Sequence, residues 1–143
     1  MTDAPNAFVL PRPTEVDLPH WDGLKRHELL LQRCTGCATF VWYPAEICPT
    51  CHELTLEWTP VEAAGSVYSF TAQYQRTGSR FDGEIPYVSA VVELRDAPGV
   101  TMGARLTGVD PESVTIGMSV IGEFVDATPE VTVLRFRPAQ GAA

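Results

Sequence analysis

The chain has 143 residues, 45% of them hydrophobic, which predicts one or two small domains with a modest core. Its formal net charge is −8, and acidic residues outnumber basic ones throughout: five against four in residues 1–33, three against none in 34–60, and ten against six in 61–143. No segment is basic enough to neutralise a phosphate backbone, and no apolar run approaches the roughly 20 residues that cross a bilayer, so nucleic-acid and membrane roles are disfavoured.

The N-terminal residues predict an extended arm followed by a short helix. Residues 1–13 contain three prolines and no charged leader ahead of an apolar stretch, so we expect no signal peptide and a cytoplasmic location. Asp17 is a candidate N-cap, and Pro19 suits the first turn of a helix that would run towards His27.

Three residues of this predicted helix are candidate binding residues. Trp21 either packs the helix onto the domain or forms part of an interface together with Lys25 and Arg26. The sequence leaves both interpretations open.

All four cysteines lie in two Cys-x-x-Cys pairs, Cys34 with Cys37 and Cys48 with Cys51, separated by ten residues. This spacing is typical of a closed tetrahedral zinc site, in which four thiolates leave no coordination position for water or substrate. We therefore predict a structural zinc ion, with iron as an alternative because it suits the same four sulfurs. Redox and disulfide interpretations are disfavoured, since no βαβ pattern surrounds the pairs and no secretory leader precedes them.

The cysteine pairs are flanked by strand patterns. Residues 29–59 indicate a strand, a knuckle, a second strand, a second knuckle and a returning strand, which together make a zinc ribbon resembling rubredoxin. Beyond Pro60 five further strands are predicted, at residues 66–75, 87–94, 100–106, 120–125 and 131–136.

The spacing of these five strands favours an OB-fold barrel. Residues 108–117, between the third and fourth strands, are interpreted as a spacer that holds a helical turn, with Asp110 as N-cap and Pro111 at the first position. Three strands, a short helical connection and two strands is the OB-fold order, and Val88 and Val92 are candidates for its core. A five-stranded sandwich is the alternative.

The predicted fold is therefore mainly β: a short N-terminal helix, a rubredoxin-like zinc ribbon and a five-stranded OB-fold barrel. We divide the chain into an arm and helix at 1–28, the ribbon at 29–60 and the barrel at 61–143.

The sequence contains no recognisable catalytic constellation. The cysteines are assigned to metal, and the three histidines, His20, His27 and His52, lie outside the predicted barrel. No nucleophile elbow, glycine-rich phosphate loop or His-Glu-x-x-His motif occurs, and Asp82 and Glu84 are interpreted as the solvated flank of a turn. We expect no enzymatic activity from the chain on its own.

One loop is a candidate ligand site. Residues 75–85 join the first two barrel strands, where OB-folds commonly hold their ligands. Arg76, Arg80 and Phe81 could contact a phosphorylated ligand or a protein partner there. A solvated loop without such a role is the alternative.

The order of several motifs resembles a known family of small OB-fold proteins with an N-terminal rubredoxin-like zinc ribbon. These proteins were long catalogued as a domain of unknown function, and they accompany thiolases and thiolase-like aldolases. The motifs are Asp17 to His27 ahead of Leu29 to Cys34, Cys37 with Tyr43-Pro44, Cys48 to Cys51, Gly65 to Thr71, Ile85 to Val88, Val91 to Leu94, Ile116 to Val120, and Phe136 to Pro138. Ala38 departs from the family pattern, which usually has glycine there because the position favours a positive φ.

The resemblance implies an acyl-CoA-associated accessory subunit. Relatives form complexes with thiolases, thiolase-like aldolases of steroid side-chain degradation, acyltransferases or MaoC-like hydratases, and help to hold the CoA substrate. We expect this chain to do the same for steroid or fatty acyl substrates, with the partner supplying nucleophile and base. The alternatives are an independent acyl-CoA-binding or hydrolysing protein and a nucleic-acid-binding zinc-ribbon protein; the acidic ribbon opposes the second.

Overall fold

The computed structural model describes residues 10–78 and 82–139, which form one helix and eight strands. Helix α1 and strands β1 to β3 precede the barrel strands β4 to β8. Their bounds are α1 Leu18–Lys25, β1 Leu29–Cys34, β2 Phe40–Val41, β3 Leu56–Val61, β4 Ala64–Gln73, β5 Tyr87–Leu94, β6 Thr101–Leu106, β7 Ser119–Asp126 and β8 Thr132–Pro138. No helix in these residues is long and apolar enough to span a membrane.

The strands form two sheets. The ribbon sheet has the order β2-β1-β3 and is antiparallel, and the other five strands close into a barrel in the order β4-β5-β6-β8-β7. Only the β6–β8 contact in the barrel is parallel, with Leu106 opposite Phe136. This is OB-fold topology, so the predicted fold class is confirmed and the sandwich alternative is wrong.

One feature of the barrel connections follows from local chemistry, and another depends on pairing between distant strands. Asp110 accepts a hydrogen bond from the backbone N–H of Glu112 and caps a 3₁₀ turn at Pro111–Ser113, as the sequence predicts. Strand β4 begins two residues earlier than predicted, because Ala64 and Gly65 pair with β7. A Cβ on Gly65 would lie 2.0 Å from the carbonyl oxygen of Glu93, so only glycine permits this approach.

Helix α1 is shorter than predicted, and its N-terminal end lacks the side-chain cap that was expected from Asp17. The carboxylate of Asp17 makes no capping bond to the helix, and accepts instead from Thr14 and from the Tyr43 hydroxyl. At the C-terminal end the backbone N–H of Glu28 donates to Gly23 and that of His27 to Leu24, which is a Schellman motif. His27 occupies the left-handed position, at φ 61°, that usually holds glycine.

One hydrophobic core connects the helix, the ribbon and the barrel. Leu24 of α1 and Leu29 and Leu31 of β1 are buried in the same cluster as the inward side chains of the barrel. The fully buried barrel members are Val67, Val88, Val92, Leu94, Val120 and Phe136. The prediction that Val88 and Val92 lie in the core is confirmed.

Candidate metal centre and neighbouring groove

The four cysteine sulfurs converge on one point at the end of the ribbon sheet. All four Sγ atoms lie within 4.8 Å of one another, with Cys34 and Cys51 separated by 3.5 Å and Cys37 and Cys48 by 3.6 Å. Four sulfurs at about 2.3 Å from a tetrahedral ion would be about 3.8 Å apart. The donor set and its spacing therefore fit a tetrahedral metal ion, which these four residues would hold.

The two knuckles that supply the cysteines have nearly the same backbone. The N–H of Ala38 donates to the carbonyl of Cys34, and the N–H of His52 donates to that of Cys48, each at 2.8 Å. Ala38 and His52 both adopt the left-handed conformation, at φ 64° and 65°. Ala38 therefore adopts the positive φ that the position favours, and the first knuckle turns as the second does.

Local hydrogen bonds prepare two of the sulfurs for metal binding. The hydroxyl of Thr55, 3.0 Å from Cys34 Sγ, and the backbone N–H of Cys37 lower the pKa of Cys34 to about 6. The backbone N–H of Cys51 is the main cause of the lowered pKa of Cys48. For Cys51 the backbone N–H of Glu53 acts in the lowering direction, but hydrogen bonding to Cys34 and burial raise the pKa to about 12. A divalent cation would displace the proton that the cluster retains.

An aromatic cluster joins the helix to the ribbon. The buried imidazole of His20 has its ring centroid 4.8 Å from that of Trp21 and 4.9 Å from that of Trp42. Trp21 is half-buried and packs against the core, whereas Lys25 and Arg26 are exposed, and Arg26 pairs with Glu28 at 3.4 Å. The structure therefore separates these three candidates: Trp21 packs, and the two cations point into solvent.

Burial of His20 predicts a pH-dependent stability. Burial lowers the pKa of His20 more than the Leu30 backbone and the Asp17 carboxylate raise it. The unfolded chain takes up a proton near pH 6.5 and the folded chain does so only at lower pH, so the free energy of unfolding should fall as pH drops below about 6.5. One such proton contributes a slope of at most about 1.4 kcal/mol per pH unit. His20→Phe should remove this slope in chemical denaturation between pH 5 and 7; an unchanged slope would contradict the assignment.

His27 reaches the barrel, contrary to the expectation that the histidines lie apart from it. Its Nε2 lies 3.0 Å from Asp126 Oδ1, and its ring stacks on Phe124 with 5.3 Å between centroids. Asp126 also accepts from the Thr132 hydroxyl at 2.7 Å. Because the carboxylate lies between the hydroxyl and the imidazole, His27 is not placed to take the hydroxyl proton, and the three residues do not form a catalytic triad.

Asp82 and Glu84, interpreted from the sequence as the solvated flank of a turn, are half-buried and make specific contacts. Asp82 accepts hydrogen bonds from the backbone N–H groups of Thr77 and Gly78, at 3.0 and 2.8 Å. Glu84 Oε1 lies 2.6 Å from a guanidinium nitrogen of Arg105. Arg76 is exposed. Arg80 and Phe81, the other two candidates of this loop, lie outside the described residues.

A groove crosses the outer face of β4, β5 and β6. Opposite residues in these strands share a face, and the outward rows are Ser69, Val91 and Gly103, then Thr71, Ser89 and Arg105. The groove has a volume of about 570 Å³ and small side chains along its floor.

Arg105 is the functional candidate that sequence reasoning missed. Its guanidinium lies 4.1 Å from the centroid of the Tyr87 ring and forms an ion pair with Glu84. The side chain is 19% exposed, and these two contacts hold the guanidinium in one orientation. The outward position of Arg105 in β6, opposite Ser89, was a signal available in the strand alternation. Its partner Glu84 was not predictable from any local pattern.

Together the fold and the metal centre define a two-module protein, a rubredoxin-like ribbon with a four-cysteine site joined to an OB-fold barrel. Residues 21–57 match the family described as the ChsH2 rubredoxin-like zinc ribbon domain, and residues 58–125 match the ChsH2 C-terminal OB-fold domain. The chain belongs to this ChsH2 family.

Relatives of known structure agree. The chain superposes on a solved chain titled "Ltp2-ChsH2(DUF35) aldolase" with a TM-score of 0.79 and 30% identity, covering 90% of this chain and 98% of that one. A DUF35 family protein of unknown function from Sulfolobus solfataricus has a TM-score of 0.59 and 15% identity, covers 87% of this chain and 86% of that one, and shows the fold alone.

Two curated relatives are considerably longer. A "Probable enoyl-CoA hydratase alpha subunit" from Thermomonospora curvata is 38% identical over 133 residues, which are 90% of this chain and 40% of that protein. The 3-oxo-4,17-pregnadiene-20-carboxyl-CoA hydratase alpha subunit of Mycobacterium tuberculosis is 30% identical over 129 residues, 85% of this chain and 38% of that protein. The chain thus spans about two fifths of the length of these relatives, and the hydratase activity in their names belongs to the whole proteins.

Proposed function

We propose that this chain is a non-catalytic accessory subunit that binds a thiolase-like aldolase subunit and supports its acyl-CoA chemistry. The observation that carries the proposal is the match to the ChsH2(DUF35) chain of an aldolase, which is covered over 98% of its length. Nearly every residue of the solved ChsH2(DUF35) chain therefore has a counterpart in this chain. The same task, forming part of an acyl-CoA-processing complex, is therefore the one this chain suits best.

The chemistry of the described residues supports a division of labour. The four cysteines converge on a metal site with no fifth position, and the His27 and Asp126 pair has no hydroxyl placed for activation. We propose zinc as the metal, because an all-thiolate tetrahedron without redox function suits it and the family is described as a zinc ribbon. The nucleophile and general base of the reaction would then come from the partner.

The names of the relatives support a proposal for the substrate class. Both curated relatives are named for CoA thioesters, and one of these is a steroid carboxyl-CoA. We propose that the complex acts on a CoA ester carrying a steroid or fatty acyl group. A CoA phosphate needs a cation, and Arg76, Arg80, Lys25 and Arg26 are proposed contacts, with Phe81 and Trp21 as apolar neighbours.

Arg105 is a further candidate for such a contact. It is already held by Tyr87 and Glu84, so little conformational entropy would be lost when a ligand binds beside it. The described residues that line the groove beside it are serine, threonine, glycine and apolar residues, and none of these is a second cation. That lining suits one polar group of a ligand. A nucleic-acid backbone needs a row of cations to bind its phosphates, so we propose no nucleic-acid partner.

Co-expression tests the accessory role. The chain should co-elute on size exclusion with the Ltp2-like aldolase subunit of its own genome, through an interface of at least about 1,000 Å². The aldolase subunit alone should be unstable or inactive, and the chain alone should not cleave a carbon–carbon bond of any acyl-CoA. The decisive measurement is kcat/KM of the aldolase subunit with and without this chain. A fully active aldolase subunit without it, or no complex at all, would end the proposal.

A further inference from the structure

Three apolar side chains are exposed on the segment that carries the second knuckle. Tyr43, Ile47 and Leu54 expose 55%, 47% and 78% of their surface, and we call these three residues the ribbon patch. The backbone N–H of Cys48 donates to the carbonyl of Glu53 at 3.1 Å and closes the base of the knuckle. Ile47 and Leu54 are the residues immediately outside that bond, one on each side of the turn, so they flank the same point of the surface.

The segment that presents the ribbon patch is fixed at several points. The buried amide of Gln32 both donates to the carbonyl of Ala45 and accepts from its N–H, each at 2.8 Å. The Tyr43 hydroxyl donates to Asp17 at 2.8 Å, and Cys48 and Cys51 belong to the metal centre. A rigid apolar surface loses little conformational entropy on association, unlike an exposed side chain on a free loop.

The charged residues that adjoin Ile47 and Leu54 in the sequence are acidic. Glu46 and Glu53 adjoin Ile47 and Leu54 in the sequence and are exposed, and residues 34–60 contain no lysine or arginine. Four thiolates around one divalent ion add about two further negative charges. The complementary surface is apolar at its centre and basic at its rim.

We propose that the ribbon patch is the surface that docks on the aldolase subunit, against an apolar pocket bordered by lysine or arginine. The proposal rests on the accessory function above and names where that partner binds. A second copy of this chain is a poorer occupant, because a two-fold contact would set the same acidic residues against each other. The charge of the ribbon therefore selects a basic partner over self-association.

The test is binding of the aldolase subunit by titration calorimetry with three double variants, one of them a matched control. Ile47→Ser with Leu54→Ser should weaken binding at least about tenfold, as truncation of anchor residues does. Tyr68→Ser with Ile116→Ser removes side chains that are similarly exposed, at 61% and 63%, but belong to the barrel, and should leave affinity unchanged. Glu46→Lys with Glu53→Lys should also weaken binding and reduce its dependence on salt. Metal content and thermal melting of each variant report whether it is folded.

Each outcome decides. Unchanged affinity of the Ile47 and Leu54 variant, or weakening only by the barrel variant, would overturn the docking surface while leaving the accessory function intact. A stable dimer of the isolated chain that the ribbon variant dissociates would overturn it too, in favour of a second copy. If the unsubstituted chain fails to bind the aldolase subunit, both proposals fall. If the Ile47 and Leu54 variant loses its metal, the docking surface is judged from the charge-reversal variant alone, with the barrel variant as its control.

Discussion

One zinc ion per chain is expected on metal analysis, and Cys34→Ser should lose it together with the ordered structure of the ribbon. Cys34 is buried, receives a backbone N–H from Cys37 and contacts the Thr55 hydroxyl. In the described part of the chain, the four cysteines are the group of side chains that could hold a metal ion. The apparent binding free energy of a structural zinc ion is about 10–16 kcal/mol, and this energy is coupled to folding. The loss of folding free energy caused by Cys34→Ser should therefore exceed the loss caused by any substitution outside the metal centre.

The measurements are zinc and iron content of purified protein and near-ultraviolet circular dichroism of the tryptophans. Thr50→Ala is the matched control, because Thr50 is exposed between two ligands and only its backbone N–H contacts a sulfur. It should keep the full metal content. A Cys34→Ser protein with undiminished zinc would refute the ligand set, and iron in the unsubstituted protein would refute the choice of metal.

Leu31→Ala should lower the free energy of unfolding of the whole chain by about 2–5 kcal/mol. Leu31 belongs to a ribbon strand but is completely buried in the cluster that includes the barrel side chains. Removing three carbons there leaves a cavity at the junction of the two modules. Leu54→Ala, in the same ribbon but 78% exposed, should change stability by no more than about 0.5 kcal/mol.

Denaturant unfolding followed by tryptophan fluorescence and by far-ultraviolet circular dichroism measures this effect. A shared core predicts one transition that both probes report at the same denaturant concentration. Two transitions, with only the first shifted by Leu31→Ala, would instead show that the ribbon and the barrel unfold separately. Such a result would support the proposed boundary between the ribbon, 29–60, and the barrel, 61–143.

Local patterns were sufficient for the features whose cause is local. The cysteine spacing predicted the metal centre, and the two-residue alternation at Val88 and Val92 predicted the inward face of β5. Asp110 followed by Pro111 predicted the turn between β6 and β7. In each case the residues that determine the structure are adjacent, or separated by the period of the element.

Contacts between distant segments could not be predicted from the sequence. Nothing near His27 indicates that its ring stacks on Phe124, about a hundred residues later, and nothing near Glu84 indicates Arg105. Side-chain pairs of this kind depend on how the elements pack, which one sequence does not encode in any periodicity. The start of β4 was missed for the same reason, since it depends on pairing with β7.

The near-identity of the two knuckles gives the metal centre an approximate internal two-fold symmetry. Ala38 and His52 occupy equivalent positions, with the same hydrogen bond and φ angles one degree apart. An ion at the centre would be held by the same backbone turn in both halves, although the Thr55 hydroxyl contacts the Cys34 sulfur of the first half. The outward surroundings differ, because Ile47 and Leu54 flank only the second knuckle, whereas Arg33 donates to the carbonyl of Ala38 beside the first. The two backbone turns around the site are therefore nearly equivalent, whereas the outer surfaces of the two knuckles differ. Which knuckle an approaching protein contacts depends on residues that do not bind the metal.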